Sequence, residues 1–112
     1  LKELGIHSIF SCPDCSGGLW EMKKDNLVRY RCHTGHTYTQ NEYAFRQKSV
    51  LESSLWVALR MLEERRQLLD KMGKQERERG WMFSASQKED RAKELRVHIE
   101  SLKLLLFETK KD

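Results

Sequence analysis

The chain has one proline and three cysteines in 112 residues, and few long hydrophobic runs. The apolar stretch near its end, Leu104 to Phe107, falls far short of the roughly 20 residues that cross a bilayer, so no membrane partner is expected. Three cysteines cannot all pair as disulfides, and no secretory leader is visible. Reduced thiols and a cytoplasmic location are therefore expected. A start at Leu1 rather than Met is expected of a piece of a longer chain. Hydrophobic residues make up 38% and charged residues 34%, and a core that thin needs a staple. The net charge of +4 points only weakly to nucleic acid. Lys and Arg are interleaved with Asp and Glu along the second half, the pattern of a solvated surface.

Two regions differ in composition. Residues 1–38 hold every Cys, the Pro and four of the six Gly, whereas residues 39–112 are rich in Leu, Glu, Arg and Lys. The first region reads as short strands and turns. Ser8 to Ser11 leads into Cys12, and Gly17-Gly18 signals a turn. Leu19 to Lys23 and Leu27 to Arg31 flank Lys24-Asp25-Asn26 as an antiparallel β hairpin, with Val28, Tyr30 and Cys32 alternating at the strand period.

The second region reads as helix. Thr39-Gln40-Asn41-Glu42 fits a capping box. Apolar residues then recur at Leu51, Leu55, Ala58, Leu62, Leu69 and Met72, with a charged gap near Arg65. Gly80 is the expected stop, and Ser86-Gln87-Lys88-Glu89 fits a second capping box. The next seam runs Ala92, Leu95, Ile99, Leu102, Leu106, of coiled-coil type. The expected architecture is mostly α with a minor β part: a small zinc ribbon over residues 1–38, then an antiparallel α-helical hairpin over 39–112, with helices about 40–79 and 86–109. Trp56, Leu59, Leu68, Leu104 and Leu105 lie off the seam and widen the apolar stripe beyond what one partner helix covers.

The ribbon assignment rests on Cys12-Pro13-Asp14-Cys15, followed by Cys32 and His36. Zinc takes four ligands in a tetrahedron, and thiolate and imidazole suit it. Two Cys separated by two residues grip one ion from a tight turn, and the second pair comes from the far end of the hairpin. His33 competes with His36 as fourth ligand. It adjoins Cys32, and neighbouring side chains on an extended chain point apart, whereas Gly35 lets Cys32 and His36 face one ion. Thiol exchange is disfavoured because no βαβ pattern surrounds the Cys pair. Catalytic zinc is disfavoured because no His-x-Glu precedes it. His7 and His98 are isolated and read as packing or solvent-facing. Trp20, Tyr30 and Tyr38 read as the miniature core of the ribbon, and Trp56 and Trp81 as helix-contact residues.

An ordered set of segments resembles a known bacterial module. Phe10-Ser11-Cys12-Pro13-Asp14-Cys15, Gly17-Gly18-Leu19-Trp20-Glu21, Arg29-Tyr30-Arg31-Cys32, Gly35-His36-Thr37-Tyr38, Leu55-Trp56 and Ala58-Leu59-Arg60 are similar to a C-terminal extension. That extension follows the catalytic domain in some CheB-like proteins, the chemotaxis protein-glutamate methylesterase family. The resemblance runs from about Ile6 to Gly80. It implies zinc ligation at Cys12, Cys15, Cys32 and His36. Ser16 stands where the extension usually has glycine, and His33 where it usually has a basic residue. The family's serine hydrolase chemistry does not carry over, since this chain shows no nucleophile elbow and no Ser, His and Asp set. The expectation is a non-catalytic zinc-binding accessory module of a signalling protein, acting by self-association or by docking a protein partner. Nucleic-acid binding through Lys23, Lys24, Arg29 and Arg31 is the alternative.

Overall fold

The computed structural model describes residues 5–110. Four strands come first: β1 (Ile6–Ser11), β2 (Gly18–Lys24), β3 (Leu27–Cys32) and β4 (Thr37–Thr39). Two helices follow, α1 (Gln40–Glu78) and α2 (Met82–Lys110). The chain is thus mostly helical with a minor β part. Two compact units divide after Leu51, so the first turns of α1 belong to the sheet unit rather than to the hairpin.

The sheet is an antiparallel meander in the order β1-β2-β3-β4, larger than the expected hairpin. Asp25 and Asn26 close β2 onto β3 with φ of 54° and 64°. Two successive left-handed residues match the twist of the flanking strands, and Asp and Asn tolerate that conformation. The β2–β3 register then runs unbroken from Lys24↔Leu27 to Leu19↔Cys32. β3 continues onto β4 with Tyr30 opposite Tyr38. Alternation puts Val28, Tyr30 and Cys32 on the inner face and leaves Arg29 and Arg31 exposed.

The core of this unit is Cys12, Leu19, Tyr30, Cys32 and Tyr38, with Val28 and Tyr43 packed against it. Tyr30 and Tyr38 take the core positions expected of them. Trp20 is instead half-buried on an interior strand, its ring tilted against that of His7 on β1 with centroids 3.6 Å apart. Leu19, which the sequence reading placed on a strand but not in the core, is fully buried. The chain enters α1 through a capping box: the Glu42 amide donates to Thr39 Oγ1 at 3.1 Å, and the Thr39 amide donates to Glu42 Oε1 at 2.8 Å.

In the second unit α1 and α2 run antiparallel. Arg77 pairs with Glu89, Asp70 with Arg96, and Glu63 with Lys103, so each heptad along α1 meets a heptad back along α2. Leu59, Ile99 and Leu106 form the buried cluster, lined by Leu55, Leu62 and Leu102. The α2 seam is the one read from the sequence. The α1 seam keeps Leu55, Leu62 and Leu69 as read from the sequence and departs from it at Leu51, which is exposed, and at Ala58 and Met72, where the next residue is the buried one. Leu59 is buried and Ala58 exposed, and Arg66 rather than Arg65 is the half-buried charge. Likewise Gly73 is buried and Met72 only half-buried.

Gly80 ends α1 with φ 83°. Its amide donates to the Arg77 carbonyl, and the Trp81 amide reaches back to the Glu76 carbonyl, the paired bonds of a Schellman stop. Helix α2 then begins at Met82, four residues before the Ser86 box, which lies inside the helix. Ala85 explains the early start. It is fully buried at the close crossing with Gly73, and that packing outweighs the local capping pattern. Trp56 and Trp81, expected at helix contacts, are 49% and 55% exposed. The Trp81 ring lies under the Arg79 guanidinium, 5.3 Å away.

Candidate metal centre

Two turns of similar build face each other at one end of the sheet. In the first, the Cys12 amide donates to the Gly17 carbonyl and the Ser16 amide donates back to the Cys12 carbonyl. In the second, the Cys32 amide donates to the His36 carbonyl and the Gly35 amide to the Cys32 carbonyl. Gly35 has φ 100°, which a side chain would resist, and its turn swings His36 back over Cys32.

These turns bring the sulfurs of Cys12, Cys15 and Cys32 and a ring nitrogen of His36 within 4.8 Å of one another. Around a tetrahedral zinc with bonds of about 2.3 Å, sulfurs sit roughly 3.7 Å apart, so the four donors fit one ion. His36 turns Nδ1 inward, 3.1 Å from Cys32 Sγ and 3.7 Å from Cys12 Sγ. Cys12 and Cys32 are buried, whereas Cys15 and His36 lie at the rim. His33 is exposed and lies outside the group, as does exposed His98. No described helix is long and apolar enough to cross a membrane.

The electrostatics favour a cation. Burial pushes the Cys32 thiol up, but hydrogen bonds from the Thr34 hydroxyl, the His36 backbone and the His36 ring outweigh it and take it down to about 5. Burial likewise opposes ionisation of Cys12, and hydrogen bonds from Tyr38 and from the Asp14 and Cys15 backbone bring it below its ordinary value. At Cys15 the Gly17 backbone and the Thr34 hydroxyl favour the thiolate. Shared hydrogen bonds with Cys12 and Cys32, together with burial, reverse that and leave it raised. His36 is raised chiefly by its hydrogen bond to Cys32. Ionising all three sulfurs would crowd three negative charges into one small volume, a repulsion that a divalent cation would relieve.

Thr34 and Arg46 also stand at the site though the sequence pattern did not point to them, and Tyr38, expected only as core, reaches it too. The Thr34 hydroxyl lies 3.0 Å from Cys32 Sγ, 3.1 Å from His36 Nδ1 and 3.7 Å from Cys15 Sγ. The Tyr38 hydroxyl stands 3.3 Å from Cys12 Sγ and donates to Asp14. Arg46 donates to Asp14 Oδ1 from Nε at 3.0 Å and Nη2 at 2.8 Å. Burial, and then Asp14, raise the Tyr38 phenol. Tyr38 and then Arg46 hold the Asp14 carboxyl below its usual range. Only the position of Asp14 between two cysteines hinted at this. No protein-family model, curated protein or solved structure matches the chain.

Proposed function

We propose that the chain is a non-catalytic accessory module in which Cys12, Cys15, Cys32 and His36 hold one structural zinc ion and the helical hairpin associates with itself or with a protein partner. The observation that carries the metal half is the convergence of three sulfurs and one imidazole nitrogen within 4.8 Å. Zinc is preferred to harder cations because thiolate is a soft donor and no carboxylate joins the set. Four protein donors complete a tetrahedron and leave no position for substrate, the arrangement of structural rather than catalytic sites.

The association half is supported by apolar surface on the hairpin. Val57, Leu104, Leu105 and Phe107 are 46%, 69%, 50% and 70% exposed, and Trp56 and Phe107 flank an apolar groove of about 220 Å³ over Leu59 and Leu106. The similarity to the extension of CheB-like methylesterases suggests a bacterial signalling protein as the setting. Light scattering coupled to size exclusion tests the association. A dimer that Leu104→Glu with Phe107→Glu converts to monomer is expected under self-association. Strict monomers that also fail to bind an apolar dye would contradict the reading.

The nucleic-acid reading keeps one supporting observation: Lys23, Lys24, Arg29 and Arg31 are all exposed on the β2–β3 hairpin. Salt-dependent retardation of labelled single-stranded DNA or RNA, lost in an Arg29→Gln, Arg31→Gln variant, would favour it over protein docking.

A further inference from the structure

Asp14 sits inside the Cys12–Cys15 turn, so its carboxylate moves with two of the four donor sulfurs. That carboxylate accepts a hydrogen bond from the Tyr38 hydroxyl and two from the Arg46 guanidinium. Tyr38 belongs to β4, and its oxygen also contacts Cys12 Sγ at 3.3 Å. Arg46 lies in the second turn of α1, beyond the Thr39 cap. Tyr43, between them in sequence, stacks among Phe10, Tyr30 and Tyr38, with centroids 5.4, 5.3 and 6.2 Å away. A continuous path of polar contacts therefore runs from the Cys12 sulfur through Tyr38 and Asp14 to the start of α1.

Resting on the zinc reading above, we propose that Tyr38, Asp14 and Arg46 are positioning residues that orient the Cys12–Cys15 turn for the ion and tie its occupancy to the order of the first turns of α1. The physical case has two parts. Groups that hydrogen-bond to metal-bearing segments fix ligand orientation, and their loss weakens metal binding roughly 10–100-fold. The Asp14–Arg46 pair is partly exposed, with side chains 30% and 46% accessible, which places the expected effect at the low end of that range. Coupling is reciprocal: whatever Arg46 contributes to the affinity for the ion, the ion returns to the docking of Arg46 and its helix turn. A point charge cannot replace the two aligned donors of arginine, so lysine substitutes only in part.

Zinc affinity measured by competition with a chromophoric chelator tests this, on reduced chains whose amide dispersion over the sheet unit at saturating zinc shows that unit folded. Asp14→Asn and Arg46→Gln should each weaken zinc binding about 10-fold, and Arg46→Lys by less. The double variant should lose scarcely more than either single one, because both act through one contact. In the parent chain zinc should slow amide hydrogen exchange over residues 43–46, and in Asp14→Asn the slowing should shrink. A parent chain that binds zinc while both single variants bind it equally well would overturn the proposal and leave the zinc reading standing. So would fully additive losses in the double variant, the mark of two independent structural effects. A parent chain that takes up no zinc would overturn both.

Discussion

At the residue scale, the candidate metal donors and the hydrophobic core of the sheet unit are partly the same side chains. Cys12 and Cys32 rank with Leu19 as the largest fully buried side chains. Leu19 is surrounded by groups that the ion would hold in place, so its truncation has little around it able to collapse. Leu19→Ala should destabilise the zinc-loaded unit by about 2–5 kcal/mol, read by thermal melting. The two candidate histidines should separate cleanly. His36→Ala should weaken zinc binding by more than the roughly 100-fold that supporting groups reach, while His33→Ala leaves it unchanged. Equal losses from both would place His33 at the ion. The candidate donors were legible because Cys-x-x-Cys and Cys-x-x-x-His spacings are local, and local geometry decides them. Thr34 and Arg46 were not, and Tyr38 was legible only as a core residue. The Arg46–Asp14 contact spans 32 positions and depends on β4 and α1 meeting the first turn, which no local pattern encodes.

At the element scale, the two capping boxes show what local signals can and cannot fix. Thr39 and Glu42 form their reciprocal bonds at a helix start that nothing else contests. The Ser86 pattern loses to packing upstream of it, where Ala85 meets Gly73. The same crossing explains why a glycine persists inside α1. A Cβ at Gly73 would lie 3.3 Å from Glu89 Cγ and 3.4 Å from the Ala85 carbonyl. Gly73→Leu should force the helices apart there and cost about 1–3 kcal/mol in a melting experiment, despite the better helix propensity of leucine. An unchanged or raised melting temperature would refute the close crossing.

Polar contacts near the same turn give the hairpin an acid dependence. Glu76 accepts from Lys88 at 2.9 Å and from Ser84 at 2.8 Å, and these hold its carboxyl below the ordinary 4.5. Arg77 does the same for Glu89. A carboxyl depressed in the folded state contributes stability that is present above its unfolded value and is lost as pH falls through its folded one. Helical stability should therefore hold above about pH 5 and decline below about 4.5, more through Glu76, which is the less exposed of the two. Glu76→Gln should flatten that decline, and an equally steep decline in the variant would assign it elsewhere.

At the scale of the whole molecule, the two units rest on different physics. The hairpin has its own apolar seam from Leu55 to Leu106 and a ladder of cross-helix ion pairs. Among the described residues, the buried core of the sheet unit is five side chains, two of them thiols. A small sheet with so little apolar burial is marginal alone, and binding energy from an ion is folding energy. Chelation should therefore erase amide dispersion over residues 6–39 while helical circular dichroism survives. Loss of both together would mean that the ion also supports the helices. The mostly helical architecture was legible from heptad spacing and the glycine stop. The choices of Leu59 over Ala58 and of Gly73 over Met72 were not, because both members of each pair lie near one helical stripe and only the position of α2 chooses between them.

Native mass spectrometry of freshly reduced, metal-replete protein bears most directly on the site, since it weighs the chain with whatever it holds. One zinc ion per chain is expected, lost on chelation and absent from a Cys12→Ser, Cys32→Ser variant. A parent chain that carries no metal under those conditions would contradict the assignment of Cys12, Cys15, Cys32 and His36 as a metal centre.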